Sequence, residues 1–291
     1  MSGKQTFGSG KKSSQFGDAW KRLRRNKKAL FGMAIVLVIL ICAIFPNQIA
    51  RYGPDDQDYT RTLQWPSSDF WFGTDNLGRD IFSRVIYGAR ISIQVGCISV
   101  SIAAIIGSLL GAFAGFYGST VETIIMRSMD VLMSIPSTLL AISIAAALGP
   151  GVFKLMISVG VGSIPTYARI VRAAVLTVKE REFVEAAKAG GASDVRIILR
   201  HVFPNCVAPI IVQATMGIAG AILSCAALSF MGLGIKPPTP EWGSMLSTGK
   251  AYITNQWYMA VYPGVAIMIT ILGLNLFGDG LRDALDPRMK R

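Results

Sequence analysis

Six stretches of this chain are too long and too apolar for the surface of a water-soluble fold: about 29–46, 91–117, 122–148, 152–173, 208–233 and 259–278. A helix needs about 20 mainly apolar residues, at roughly 1.5 Å each, to cross about 30 Å of hydrocarbon. The chain is therefore predicted to be an all-α, polytopic membrane protein with six transmembrane helices. Composition agrees. The apolar set makes up 52% of the 291 residues, 30 glycines add about a tenth, and only 16% is charged. Soluble chains average about 45–50% apolar with glycine included, and about 25% charged. An ordinary soluble enzyme, a disordered chain and a disulfide scaffold are excluded. Cys42, Cys97, Cys206 and Cys225 lie far apart without a C-x-x-C pair, and read as small core hydrophobes.

The net charge of +12 has its own logic. A nucleic-acid binder needs a water-soluble basic face, whereas these basic residues cluster in the tails and between apolar runs. With the N-terminus in the cytoplasm, 21 of the 29 Lys and Arg residues fall inside and eight outside. That split satisfies the positive-inside rule and puts both termini in the cytoplasm. The first apolar run, Ala29 to Phe45, is longer than a signal-peptide core, and the NQIA after it lacks an A-x-A cleavage pattern. It reads as an uncleaved first span.

The expected organisation is a cytoplasmic tail over 1–28, a first span over 29–46 and an outer loop over 47–90. A five-helix core over 91–281 then carries a cytoplasmic loop at 178–207, and a short tail closes the chain at 282–291. Residues 1–14 read as a flexible tail rich in Gly, Ser and Lys. Its GSGKKS is not a phosphate loop, because Gln5 stands where the first glycine of that pattern belongs. Phe16, Trp20 and Leu23 share one face of a short helix predicted to lie on the inner leaflet.

Within the spans, Ala103, Gly107, Gly111 and Gly115 recur four apart, a helix-packing seam whose partner the sequence does not name. Arg127 and Asp130 are expected to pair at the cytoplasmic rim, since either at mid-bilayer costs about 2.5–3.5 kcal/mol. Pro136 and Pro165 are expected to bend spans three and four. No Asp, Glu or His lies deep in any span, and the single histidine, His201, is in the cytoplasmic loop. Ion-coupled transporters keep ionisable groups or broken-helix ion sites at the midplane. Gln94, Ser143, Gln213, Thr215 and Asn275 either line a path or bond to neighbouring helices. With no nucleotide loop, catalytic set or metal-ligand spacing in the chain, a passive pore, a structural subunit or a permease driven by a partner remains.

The loop EAAKAGGASDVRIILRHVFP, Glu185 to Pro204, favours the last of these. Strong helix formers reach Ala189, Gly190 and Gly191 break the helix, and Ser193 or Asp194 is placed to cap the next one. Glu185, Ala186 and Ala187, a glycine six residues after the Glu and a proline thirteen beyond that resemble the EAA loop of binding-protein-dependent ABC importer permeases. Three more segments narrow the resemblance: FGTDNLGRDIFSRVIYGAR (72–90), LSFMGLGIKPPTPEWG (228–243) and GDGLRDALDP (278–287). Together they look like the C-type permease subunit of dipeptide, oligopeptide and nickel ABC importers.

The resemblance implies a type I ABC importer permease fold, paired with a B-type permease, two ATPase subunits and an extracytoplasmic binding protein. Glu185, Ala186, Ala187, Gly190, Gly191 and Pro204 would form the loop that couples to the ATPase. The resemblance also implies a non-catalytic subunit without a cofactor of its own, ATP and Mg²⁺ belonging to the partners. Peptides are the implied cargo, with nickel chelates, glutathione or opines as alternatives. Trp242, Trp257 and Tyr258 either touch cargo or binding protein, or belong to an interfacial aromatic belt.

Overall fold

The computed structural model describes residues 15–285, so the expectations for residues 1–14 and for the end of the C-tail lie outside it. Among the described residues there is no β-strand, only an isolated bridge between Thr74 and Asp80. The described residues begin with α1 (Gln15–Leu23), whose Leu23 is buried against Ala29 and Ala284 while Trp20 is half-exposed. Next comes α2 (Lys27–Ile44), capped by Asn26, whose side chain accepts from the amides of Lys28 and Ala29. It lies along α12 (Tyr258–Leu285): a Cβ on Gly32 would stand 2.6 Å from the Phe277 amide nitrogen. Its other face, with Phe31, Val38 and Ile44, is exposed, as a lipid-facing helix requires.

A short α3 (Pro46–Ile49) leads into an irregular segment that ends at α4 (Ile81–Tyr117). This helix begins about ten residues before the span predicted at 91. Asp80 caps it, accepting from the Ser83 amide at 2.8 Å and the Ser83 hydroxyl at 2.6 Å. The 47–90 loop is therefore shorter than expected. With 37 residues, α4 is roughly 55 Å long at about 1.5 Å per residue, well beyond the hydrocarbon thickness.

The predicted third span is broken rather than bent. α5 (Ser119–Ser134) and α6 (Ser137–Leu148) meet at 88°, with Ile135 extended before Pro136. Proline removes the amide and pushes its predecessor out of the helical region. α7 (Val152–Val178), by contrast, runs unbroken through the buried Pro165. After it come α8 (Glu182–Ala189), α9 (Asp194–Ile197), a π turn, a 3-10 turn and α10 (Val207–Phe230). α11 (Trp242–Lys250) precedes α12.

The six spans expected from sequence differ in length and apolar character. Among the described residues four helical runs are long and apolar enough alone, namely α2, α4, residues 194–230 and α12, and the α5–α6 pair makes a fifth if counted as one span. α7 is long enough, at 27 residues, but carries Lys154, Arg169 and Arg172. It is also the helix that receives the small-residue seam. A Cβ on Gly107 would lie 2.6 Å from the Ile164 carbonyl oxygen, one on Gly111 would overlap the Ala168 carbonyl, and one on Gly115 would lie 2.9 Å from Val175 Cβ. Ala103 is fully buried in the same core.

Candidate functional site

The loop between α7 and α10 is a compact hairpin. α8 ends in a Schellman turn: the Ala192 amide donates to the Ala187 carbonyl at 3.1 Å, and the Gly191 amide to the Lys188 carbonyl at 3.0 Å. The turn places Gly191 at φ +74, the left-handed region that glycine enters without a Cβ penalty. A Cβ at Gly191 would meet nothing within 4 Å, so the constraint there is backbone conformation rather than space. Gly190 has an ordinary φ of −76 and forms the helix end. Ser193 occupies the cap position of α9, yet its side chain makes no capping bond; Asp194 instead sits in the first turn, where its charge suits the helix dipole. Pro204 is the second residue of the 3-10 turn Phe203–Cys206, in the first-turn positions that proline favours.

One face of this hairpin is welded to the bundle. Val184, Ile197 and Val202 are fully buried with Val171 and Val175, and Ala187 packs against them. The opposite face is open. Glu185, Ala186, Gly190, Gly191 and Pro204 are exposed, together with Phe183 at 43%, Val195 at 54% and Leu199 at 56%. Those three apolar side chains were not singled out from sequence. The available signal was their place in an otherwise charged connection. Lys188 points back over the Phe116 ring, with Nζ 5.3 Å from its centroid, and not simply into solvent.

The expected Arg127–Asp130 pair is present, but Asp130 has a closer partner on another helix. Asp130 bonds to Arg169 of α7 at 2.6 Å, and Arg127 approaches it only to 3.8 Å. Glu122 and Arg172 form a second link from α5 to α7. Of the polar path candidates, Ser143 and Thr215 bond back to carbonyls of their own helices, while Gln94 and Asn275 are exposed. Tyr167 donates to the Gln213 carbonyl at 3.3 Å.

At the other end of α4, the 72–90 and 228–243 segments form one platform. Asp75 and Arg79 pair at 2.7 Å with both side chains buried, and Arg84 donates to the Pro238 carbonyl at 3.0 Å. Glu241, only 2% exposed, caps α11 by accepting from the Gly243 and Ser244 amides at 2.8 Å each. Burial pushes its carboxyl above the ordinary value, while these two amides pull it back down. The Trp242 indole donates to the Val85 carbonyl at 2.9 Å and packs against Gly88, where a Cβ would come 2.9 Å from its Cδ1. Trp242 and Tyr258 are therefore core residues rather than cargo contacts or belt. Trp257 alone of the three is substantially exposed, edge-on to Trp65. The 278–287 segment enters the described residues as the end of α12, where Gly280 lets α12 close on Ala29.

This architecture is that of a type I ABC importer permease. Over 70% of the chain and 96% of the other, it matches a chain of the MetNI methionine ABC transporter in inward-facing conformations, with TM-score 0.55 at 18% identity. A second crystal form gives TM-score 0.57 at 17% identity, covering 71% and 98%. The chain belongs to the family of binding-protein-dependent transport system inner membrane components, which matches residues 107–291. Residues 14–66 match the N-terminal TM domain of oligopeptide transport permease C.

Among curated relatives, the dipeptide transport system permease protein DppC of Alkalihalophilus pseudofirmus is 46% identical over 95% of this chain and 91% of its own. The di/tripeptide permease DppC of Pseudomonas aeruginosa is 46% identical over 93% and 91%. The glutathione permease GsiD of Escherichia coli is 47% identical over 93% and 90%. The chain is thus a multi-pass permease subunit of an ABC importer in the inner membrane, a class that works with ATPase and substrate-binding partners.

Proposed function

We propose that this chain is the C-type half of a heterodimeric permease. In this reading it pairs with a B-type permease subunit, is worked by two ATPase subunits, and receives its cargo from an extracytoplasmic binding protein. Short peptides are the proposed cargo, crossing at the interface between the two permeases. Both termini face the cytoplasm, as the 21-to-8 division of basic residues favours. ATP and Mg²⁺ are handled by the partner subunits, and this chain brings no cofactor.

The observation that carries the coupling role is the hairpin. Its root is buried, its turn is fixed by glycine at φ +74, and its outer face offers Phe183, Val195 and Leu199 around Glu185 and Ala186. An exposed apolar patch on a rigid element is a surface for a protein partner. The peptide reading is supported by two dipeptide-type relatives at 46% identity. Glutathione, itself a tripeptide, is favoured as the alternative by a relative at 47%.

The test is uptake of labelled dialanine into cells that lack their own peptide importers and express this chain with its partner genes. Competition by excess dipeptide, but not by glutathione or a nickel–histidine chelate, is the expected result. Uptake competed only by glutathione would reassign the cargo. In the same cells, a cysteine at Ser68 should react with an impermeant thiol reagent and one at Ser193 should not. Labelling at 193 would overturn the orientation and the hairpin's role with it.

A further inference from the structure

The hairpin is joined to α4 as well as to α7, through contacts for which the transport reading supplies no role. α4 ends at Tyr117; the Gly118 cap amide takes the Ala114 carbonyl, and the carbonyls after it have no partner within the helix. One of them, the Gly115 carbonyl, accepts a hydrogen bond from Lys179 Nζ at 2.9 Å. Lys179 is the residue immediately after α7. The next residue of α4, Phe116, carries the Lys188 ammonium over its ring at 5.3 Å. Two cations, one at the root of the hairpin and one within it, thus meet the negative end of a 37-residue helix dipole. Below them Phe116 packs on the same buried cluster that holds Val184 and Val175.

We propose that Lys179 and the Lys188–Phe116 pair are positioning contacts that lock the hairpin to the end of α4, so that hairpin and helix move as one body. The inference rests on the reading of the hairpin as the ATPase contact. Only residues 179–181 separate α7 from α8. A hairpin held by that linker and its apolar root can tilt when pushed, and the displacement is absorbed locally. Tied also to α4, it passes the displacement into an unbroken helix whose far end is held by Asp80 and Arg84 in the platform. The cations act on that motion without touching nucleotide or cargo.

The experiment uses the whole transporter in liposomes, with partner permease, ATPases and binding protein, and reads labelled dialanine transported per ATP hydrolysed. The variants are Lys179→Met/Phe116→Leu, which removes both contacts, and Lys179→Arg/Phe116→Tyr, which keeps their chemistry. In the Met/Leu variant the ATPase subunits should stay bound. Uptake per ATP should fall by at least about fivefold, the low end of coupling between distant sites. The Arg/Tyr variant should hold the ratio within about twofold of wild type, below that range. Parallel loss of uptake and hydrolysis at an unchanged ratio would show a merely structural role and overturn the inference. An Arg/Tyr variant as poor as Met/Leu would do the same, as would detachment of the ATPases. Gly191→Val tests the underlying reading separately: if it leaves ATPase attachment and uptake intact, the hairpin is not the contact.

Discussion

Alanine placed at Gly111 should weaken the bundle, whereas the same change at Gly220 should not. Both glycines are helical, so each gains up to about 1 kcal/mol of helix propensity from the substitution. At Gly220 the new methyl meets nothing within 4 Å, and that gain stands alone. At Gly111 it overlaps the Ala168 carbonyl oxygen and lies 3.0 Å from the Arg172 amide nitrogen. Backbone cannot rotate away as a side chain can, so α4 and α7 must part. A gap of 0.5–1 Å forfeits a quarter to a half of each contact of about 0.1–0.2 kcal/mol, and a buried side chain makes about 40–60 of them. One such side chain losing its packing costs on the order of 2–3 kcal/mol, as overpacking typically does. The net effect is a loss of about 1–2 kcal/mol at Gly111 against a small gain at Gly220. Cys206 and Cys225 are buried and report unfolding by reaction with a thiol dye, once the half-buried Cys42 and Cys97 are changed to serine. Heated in detergent, the Gly111→Ala protein should label at a lower temperature than wild type and Gly220→Ala should not. Equal midpoints for the two variants would refute the close approach of α4 and α7.

Gly191→Val should abolish uptake while membrane abundance stays near normal, because a β-branched residue resists φ +74 in a turn that lies outside the membrane core; immunoblot and uptake in the same cells check it. Glu185→Lys, at an exposed position, should reduce co-purification of the ATPase subunits. Burial raises the folded-state Glu241 carboxyl above its ordinary 4.5, so the stability it confers when protonated is complete below that value and is lost as pH rises through the raised one. Glu241→Gln should flatten that part of the pH dependence of the unfolding midpoint, and an unchanged profile would count against it.

The features legible in sequence were those set by local chemistry. The hairpin was readable because Gly190 and Gly191 follow a run of helix formers, and the Schellman turn needs little else. The seam was readable as four small residues in register, but its partner was not, since Ile164, Ala168 and Val175 announce nothing until α7 is packed against it. The early start of α4 was missed because Arg84 and Arg90 make residues 81–90 look like loop; Asp80 followed by Ser83 was the cap signal. Pro136 was visible, yet whether it bends or breaks a helix depends on where α5 is held, and Arg169 and Arg172 hold it from another helix. The burial of Trp242 depends on Gly88, far away in the chain, and no local pattern reveals it.

That last contact has a consequence for how the protein is made. The Val85 carbonyl waits for an indole 157 positions later, Arg84 for a carbonyl 154 positions later, and the Thr74 carbonyl for the Tyr258 hydroxyl 184 positions later. Ribosomes add about 5–20 residues per second, so roughly 8–30 s pass between the emergence of Val85 and that of Trp242. Throughout that interval Gly88 has no ring upon it and Arg84 has no Pro238 to bond. A chain cut short anywhere before Trp242 can insert its early helices but never finishes this surface.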